Sequence, residues 1–419
     1  MRFLLLRRKE YERCRFLIRK PLLYLACLQR DASPAPSLIG KAPWEVKLLS
    51  RLFATFLLTS FSVSQVGSTS AVPSSRLAHL QRGVNLSAWF AQVYDPKGYT
   101  KEHFDSWVTP ADIALIKSAG FDHVRLSANP QPLMDADNHG QGKQYWGYLD
   151  TAMKMILDSG LSVELDMHPE SDFKQRLNEN EFVERFTDFW RSVAKRYSVY
   201  DHERVFFEIL NEPEMHDPYR WYGVEAKLAA AIRQAAPENT ILAPGASWDN
   251  DDDLLFLEPL RDSNVIYIFH FYEPHIFTHQ GATWGAFYWH WLQDLHYPSD
   301  PKNAAEVAAA VPDAAHRLDV IRYGQDHWNA VRIEAEINQV ADWAKQNGVP
   351  VVCNEFGVYR RALPQDRNAW IRDTRTSLER HHIGWAMWDY ADSFGVAIKK
   401  DGKAVFDQDT VQALGVKMP

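Results

Sequence analysis

Two Asn-Glu pairs, Asn211-Glu212-Pro213 and Asn354-Glu355-Phe356-Gly357, each close a short apolar run. Paired carboxylates whose surroundings push their pKa values apart let an enzyme run acid and base chemistry near neutral pH. One must keep its proton for a leaving oxygen while the other stays ionised to attack. Arg125, beside Glu355, would favour the charged carboxylate, and aromatic walls around Glu212 would let it keep its proton. Asn211, His168 in Asp166-Met-His168, His270 and Tyr272 in His270-Phe-Tyr272, and Trp388 complete the set. Taken singly, a strand-end Glu is more often an ion-pair residue and a buried His more often hydrogen-bonded structure. The weight lies in their joint occurrence at six predicted strand ends.

The elements that must position these groups alternate short β-branched runs with longer amphipathic stretches, the pattern of a parallel sheet with helices between its strands. Strands are predicted at Arg82–Leu86, His123–Ser127, Ser162–Met167, Val205–Leu210, Ile241–Ala243, Val265–Phe271, Val349–Asn354 and Ile383–Trp388. Helices are predicted at Pro110–Ala119, Tyr148–Ser159, Glu181–Tyr197, Tyr222–Ala235, Asp252–Leu260, Ala330–Asn347 and Asp366–His382, with a closing one near Asp407–Leu414. Gly120, Gly160 and Gly348 fall between a helix and the next strand, where a left-handed residue ends a helix without a Cβ clash. The eight repeats indicate an α/β fold of the (β/α)₈ barrel type, whose active sites lie at the C-terminal ends of the strands. An open doubly wound sheet would show a glycine-rich phosphate loop after its first strand, and Gly83-Val-Asn-Leu-Ser-Ala-Trp-Phe90 has none. Ser171–Asn180 reads as a modest loop. Glu273–Tyr323 is a long, aromatic-rich insertion after strand six, with a short helix in Asn303–Ala315.

The 419 residues suit one domain of this kind, residues 72–419, behind a leader at 1–71. Residues 1–71 carry 12 Lys and Arg against 4 Asp and Glu, so the leader stands at +8 and the body at −16. An acidic body repels phosphate backbones and argues against nucleic acid as a partner. Lys47 and Arg51, the apolar Leu52–Val63 and the small residues Ser68–Ala71 read as a signal peptide over about 47–71, too short to span a bilayer. This predicts a secreted or periplasmic product beginning near Val72, with no membrane span. Some forty-five residues precede the signal, so either translation starts near Val46 or the leader is unusually long; an ordinary helix at Leu22–Leu28 is the alternative. Cys14 and Cys27 fall in the leader, and Cys353 reads as a small buried residue. Nothing in the Cys and His spacing calls for a metal or cofactor.

Ile209-Leu-Asn-Glu-Pro213, Val352-Cys-Asn-Glu-Phe-Gly357, His123-Val-Arg-Leu126 and Asp166-Met-His168 together resemble glycoside hydrolase family 5, the cellulase family, over Arg82 to Gly415. The resemblance implies Glu212 as acid/base and Glu355 as nucleophile of a retaining mechanism through a covalent glycosyl-enzyme. It further implies Asn211 on the sugar 2-hydroxyl, Arg125 and His168 supporting the nucleophile and its subsite, Tyr272 near the nucleophile, His270 near the acid/base, and Trp388 under the reacting sugar. Glu214-Met215-His216 departs from the commoner pattern, and His270–Gly281 is similar to a subset of bacterial secreted members.

A β-1,4-glucan cleaved internally is the leading substrate, with Trp89, Trp248 and Trp284 expected to stack successive glucose rings or else to be packing. Mannan, xyloglucan, β-1,3-glucan and bacterial exopolysaccharide remain open. The expected partner is thus a polysaccharide or oligosaccharide, and the expected state a monomer. A metal-dependent barrel hydrolase, using His168 and His270 as ligands, lacks the usual His-x-His after strand one, where Asn85-Leu-Ser stands. A non-catalytic glycan-binding barrel would be marked by loss of one Glu, and both are present.

Overall fold

Eight parallel strands pair in sequence order and close on themselves: β1 (Arg82–Phe90), β2 (His123–Ala128), β3 (Ser162–Met167), β4 (Val205–Glu208), β5 (Thr240–Ala243), β6 (Val265–Phe271), β7 (Val351–Phe356) and β8 (Gly384–Met387). This computed structural model describes residues 72–135 and 141–418. The leader, with the signal-peptide and Leu22–Leu28 expectations and Cys14 and Cys27, lies outside the described residues. Except for Arg82, every residue of these eight strands is buried, one face against the helices and the other inside the barrel. Burial on both faces is why these strands read as nearly continuous apolar runs.

The helices follow the expected order. Pro110–Ser118 starts behind Thr109, whose hydroxyl accepts from the Asp112 N–H while Asp112 accepts from the Thr109 N–H, a reciprocal cap worth about 1 kcal/mol. Gly120, Gly160 and Gly348 have φ of 89°, 84° and 65°, the left-handed region that ends a helix. Three expectations change. The helix over Asp252–Leu260 is a single turn, Asp251–Leu254: Pro259 can donate no backbone hydrogen bond, and the Leu260 N–H goes instead to the Tyr267 hydroxyl at 2.6 Å. Ser171–Asn180 is not a plain loop but a helical turn, Ser171–Gln175, followed by a tighter one, Arg176–Asn178. The insertion after β6 holds two short turns, His275–Thr278 and the tighter Trp289–Trp291, and then two longer helices, Pro301–Ala310 and Ala314–Gln325, capped by Asp300 and Asp313.

Inside the barrel the lower layer is apolar: Leu80, Phe206, Leu242, Ile266, Ile268 and Val352 pack together with Val72. The short helix Ser74–Ala78 lies across that end, and Arg76 ties it to Glu203, Thr240 and the Glu238 carbonyl. Above the apolar plug the inward positions turn polar. They are Asn85 on β1, Arg125 on β2, Glu164 and Asp166 on β3, Glu208 on β4 and Asn354 on β7, all fully buried and joined by hydrogen bonds or ion pairs. Placing charge at alternate positions of a strand aims it into one face.

Candidate active site

The register of β7 explains how Asn354 and Glu355, adjacent in sequence, both reach the interior. Phe269 pairs with Cys353 but His270 pairs with Glu355, so β7 carries one extra residue there. A bulge of this kind re-aims a side chain that strict alternation would send outward. Asn354 donates to Glu164 at 2.7 Å and to Glu208 at 3.0 Å. Glu355 stands above it and accepts from Arg125 Nη1 through Oε1 and from the Tyr272 hydroxyl through Oε2 at 2.9 Å.

Arg125 organises the floor. Its guanidinium is forked onto Glu208 at 2.6 and 2.7 Å, lies 3.0 Å from Asp166, and donates to Asn85 Oδ1 at 3.0 Å and Asn211 Oδ1 at 2.9 Å. Burial alone would favour losing its proton, but Asp166, Glu208 and Glu355 push its pKa well above the usual value. Burial, and then the facing Glu208, raises the Glu164 carboxyl well above the usual carboxylate range.

Glu212 follows β4 in a left-handed conformation, φ 46°, sparsely populated by residues with a Cβ. Its N–H donates to Asp249 Oδ2 at 2.8 Å, and its Oε1 lies 3.0 Å from His270 Nδ1. His270 Nδ1 is also 3.5 Å from Glu355 Oε2. One oxygen of each glutamate and one nitrogen of His270 therefore lie within 4.8 Å of one another. Among the described residues this trio is the group whose donor atoms converge as a cation site would require, but His270 and Glu212 already share a hydrogen bond through the same atoms.

The proton distribution corrects one expectation. Burial would raise the Glu212 carboxyl, but the hydrogen bond and charge of His270, helped by Lys174 and His168, outweigh it and hold the group down at about 2. Burial would likewise lower His270, yet Glu355, Glu212 and Asp249 raise it to about 9. Glu212 is thus not kept neutral by aromatic walls; it is a carboxylate facing an imidazolium, because a cation in contact outweighs partial desolvation. His168, buried and near Arg125, falls to about 3 and is neutral; its Nδ1 meets Asp166 Oδ2 at 2.8 Å. Its ring lies nearly parallel to Trp388, 5.6 Å between centroids.

The aromatic expectations divide. Trp388 is half-buried at the end of β8 beside His168. Trp248 is 48% exposed, and its backbone N–H donates to the Pro213 carbonyl, which sets it beside Glu212. Trp284 is 45% exposed and packs edge-on against Tyr359; it neighbours Phe394, which in turn touches Tyr272. Trp89 does not offer a stacking face: it is 3% exposed, lies against Phe90, and spends its indole N–H on the Phe104 carbonyl. The helix Lys101–Ser106 packs against it through the Phe104 carbonyl and the His103 ring on the Trp89 carbonyl, which nothing in its local sequence announces.

Sequence reasoning missed Asn85, Glu164, Glu208, Asp249 and Lys174 as neighbours of the site. Glu164 and Asp166 carried a usable signal, since acids two apart in an apolar strand must share one face. Asp249 carried none, standing among the acids of Asp249–Asp253. Lys174, buried on the turn after β3, lies 3.6 Å from Glu214.

Residues 87–393 match the family model described as cellulase, glycosyl hydrolase family 5. Endoglucanase C of Acetivibrio thermocellus is 29% identical over 346 residues, 81% of this chain and 98% of that protein. Among solved structures, Thermotoga maritima Cel5A with cellobiose, in a mutant form, matches with a TM-score of 0.66 at 25% identity, over 82% of this chain and 99% of that one. The clostridial cellulose synthase subunit Z from Clostridioides difficile matches with a TM-score of 0.65 at 25% identity, over 80% and 99%.

Proposed function

The chain belongs to glycosyl hydrolase family 5, the cellulase family, and on that premise we propose that it cleaves internal β-1,4-glucosidic bonds with Glu355 as nucleophile and Glu212 as acid/base. The observation that carries this reading is the approach of the two carboxyl groups, with one oxygen of each inside 4.8 Å. Retaining enzymes hold them about 5–5.5 Å apart, whereas inverting ones need about 6.5–9.5 Å to admit a water.

Glu355 attacks the anomeric carbon with one oxygen while Arg125 and Tyr272 hold the carboxylate in place. Glu212 protonates the departing oxygen as the glycosidic bond breaks, with the proton it draws from the facing His270 imidazolium across their 3.0 Å contact, giving a covalent glycosyl-enzyme. It then removes a proton from the water that releases the sugar, so the product keeps its β configuration. Asn211 spends its Oδ1 on Arg125, which leaves its amide N–H groups for the sugar 2-hydroxyl. Neutral His168 and Trp388 make a flat wall for the reacting ring, and the exposed Trp248 and Trp284 supply stacking faces farther along the chain of sugars.

The relatives favour a glucan, since Endoglucanase C aligns over nearly its whole length. Product analysis on carboxymethylcellulose, mixed-linkage glucan, β-1,3-glucan, mannan and xyloglucan tests this. Short cello-oligosaccharides from the first two are expected; cleavage of mannan alone, or a first-formed α-anomer by NMR, would overturn it. No helix of the described residues is long and apolar enough to cross a membrane. Export as a monomer after cleavage near Ala71 completes the proposal; Edman sequencing of material from the medium or periplasm should begin near Val72.

A further inference from the structure

Asp249 lies in the loop after β5, wholly buried, and touches both partners of the acid/base pair. Its Oδ2 accepts the Glu212 backbone N–H at 2.8 Å, and its carbonyl accepts the His270 backbone N–H at 2.7 Å. The next residue, Asn250, forms a backbone bridge with His270, so this loop extends the sheet alongside β6. Asp249 Oδ2 also lies 3.7 Å from His270 Nε2. That ring nitrogen is buried without a hydrogen-bond partner, as is Asp249 Oδ1. Nε2 has no other outlet and lies a few tenths of an ångström beyond bonding distance from Oδ2, the oxygen that also takes the Glu212 N–H. Burial pushes the Asp249 carboxyl up while the facing His270 charge pulls it down, and against an imidazolium the complementary arrangement is Nε2–H donating to the carboxylate.

Resting on the reading of Glu212 as acid/base, we propose that Asp249 is a positioning residue for the proton-transfer pair, fixing the His270 tautomer and the left-handed backbone of Glu212 together. With Nε2–H turned to Asp249, His270 has Nδ1 alone with which to face Glu212. One proton is then shared along the 3.0 Å contact between Nδ1 and Oε1. When it sits on Nδ1 the pair is imidazolium and carboxylate. When the N–H bond breaks and an O–H bond forms on Glu212, the imidazole is neutral and the acid is ready for the leaving oxygen. Nε2–H stays in place in both states, so neither ring nor carboxyl reorients during the cycle. The arrangement uses a carboxylate, an imidazole and a reacting group in line, the logic by which a third group orients a catalytic base.

The test is the leaving-group dependence of Asp249→Asn. The amide keeps an acceptor for the Glu212 N–H but cannot balance an imidazolium. A loss in kcat/KM of about tenfold to a hundredfold is expected on cellotetraose, whose leaving alcohol needs a proton, and less than about threefold on 2,4-dinitrophenyl β-cellobioside, whose phenolate does not. Rates are referred to the fraction of chain labelled by a 2-deoxy-2-fluoro-cellobioside, which removes any misfolded protein from the count. Equal losses on both substrates, or none on either, would overturn the proposal. Glu212→Ala run alongside separates the two claims. If it shows the same selectivity with azide rescue while Asp249→Asn does not, the role of Asp249 alone fails. If Glu212→Ala lacks that selectivity, the reading of Glu212 fails and takes Asp249 with it.

Discussion

Arg125 and Glu208 form a two-point ion pair at 2.6 and 2.7 Å with neither side chain exposed, directly below the carboxylate of Glu355. The fork fixes the plane of the guanidinium, and Nη1 is thereby left aimed at Glu355. Removing one partner of a buried pair leaves an uncompensated charge at a cost of about 3–5 kcal/mol. Glu208→Ala should therefore lower the unfolding free energy obtained from a urea titration by about 3–5 kcal/mol, bringing the midpoint down with it, and reduce kcat as well. An unchanged midpoint would show that Asp166 and Glu355 balance Arg125 without it.

Glu355→Ala removes the attacking atom but no part of the aromatic walls. Hydrolysis should disappear while cello-oligosaccharide binding, followed by calorimetry, stays within about threefold, since the stacking faces and polar contacts survive. Unchanged turnover would refute the assignment of the nucleophile.

The Glu212–His270 pair sets a pH window. Glu212, lowered from 4.5 to about 2, contributes stability above its unfolded value and loses it as pH falls toward 2. His270, raised from 6.5 to about 9, contributes below its unfolded value and loses it as pH rises through 9. Their mutual stabilisation is thus complete between about 4.5 and 6.5. Activity should hold into the alkaline range, because the pair keeps one proton until about pH 9. His270→Gln should move the alkaline limb of kcat/KM downward by more than one pH unit, roughly tenfold in proton concentration. A limb that does not move would place the controlling proton elsewhere.

The tryptophans separate by readout. Trp248→Ala and Trp284→Ala should raise KM for cellohexaose by about threefold to tenfold, matching a stacking contribution of about 0.5–1.5 kcal/mol, and leave the melting temperature alone. Trp89→Ala should do the reverse, costing about 3–5 kcal/mol of stability as a large core truncation does. A chain-length-dependent KM in Trp89→Ala would contradict its burial.

The amino-acid sequence by itself determined the barrel and singled out the two glutamates as candidates. Eight apolar runs of strand length, separated by helical periodicity and punctuated by Gly120, Gly160 and Gly348, admit few other architectures. Local chemistry suffices there, because a strand buried on both faces must be apolar whatever it packs against. Glu212 and Glu355 stood out for a related reason: each ends such a run, and polar or aromatic groups gather jointly at six such ends. Tertiary structure alone decided what those positions do to one another. The extra residue in β7 turns Glu355 inward beside Arg125, which lies 230 positions away. His270, 58 positions from Glu212, reverses the protonation that aromatic surroundings would have set. Trp89 is lost to the core because another element covers it. Electrostatic energy depends on distance through space and burial on which surfaces meet, and neither is a property of neighbouring residues along the chain.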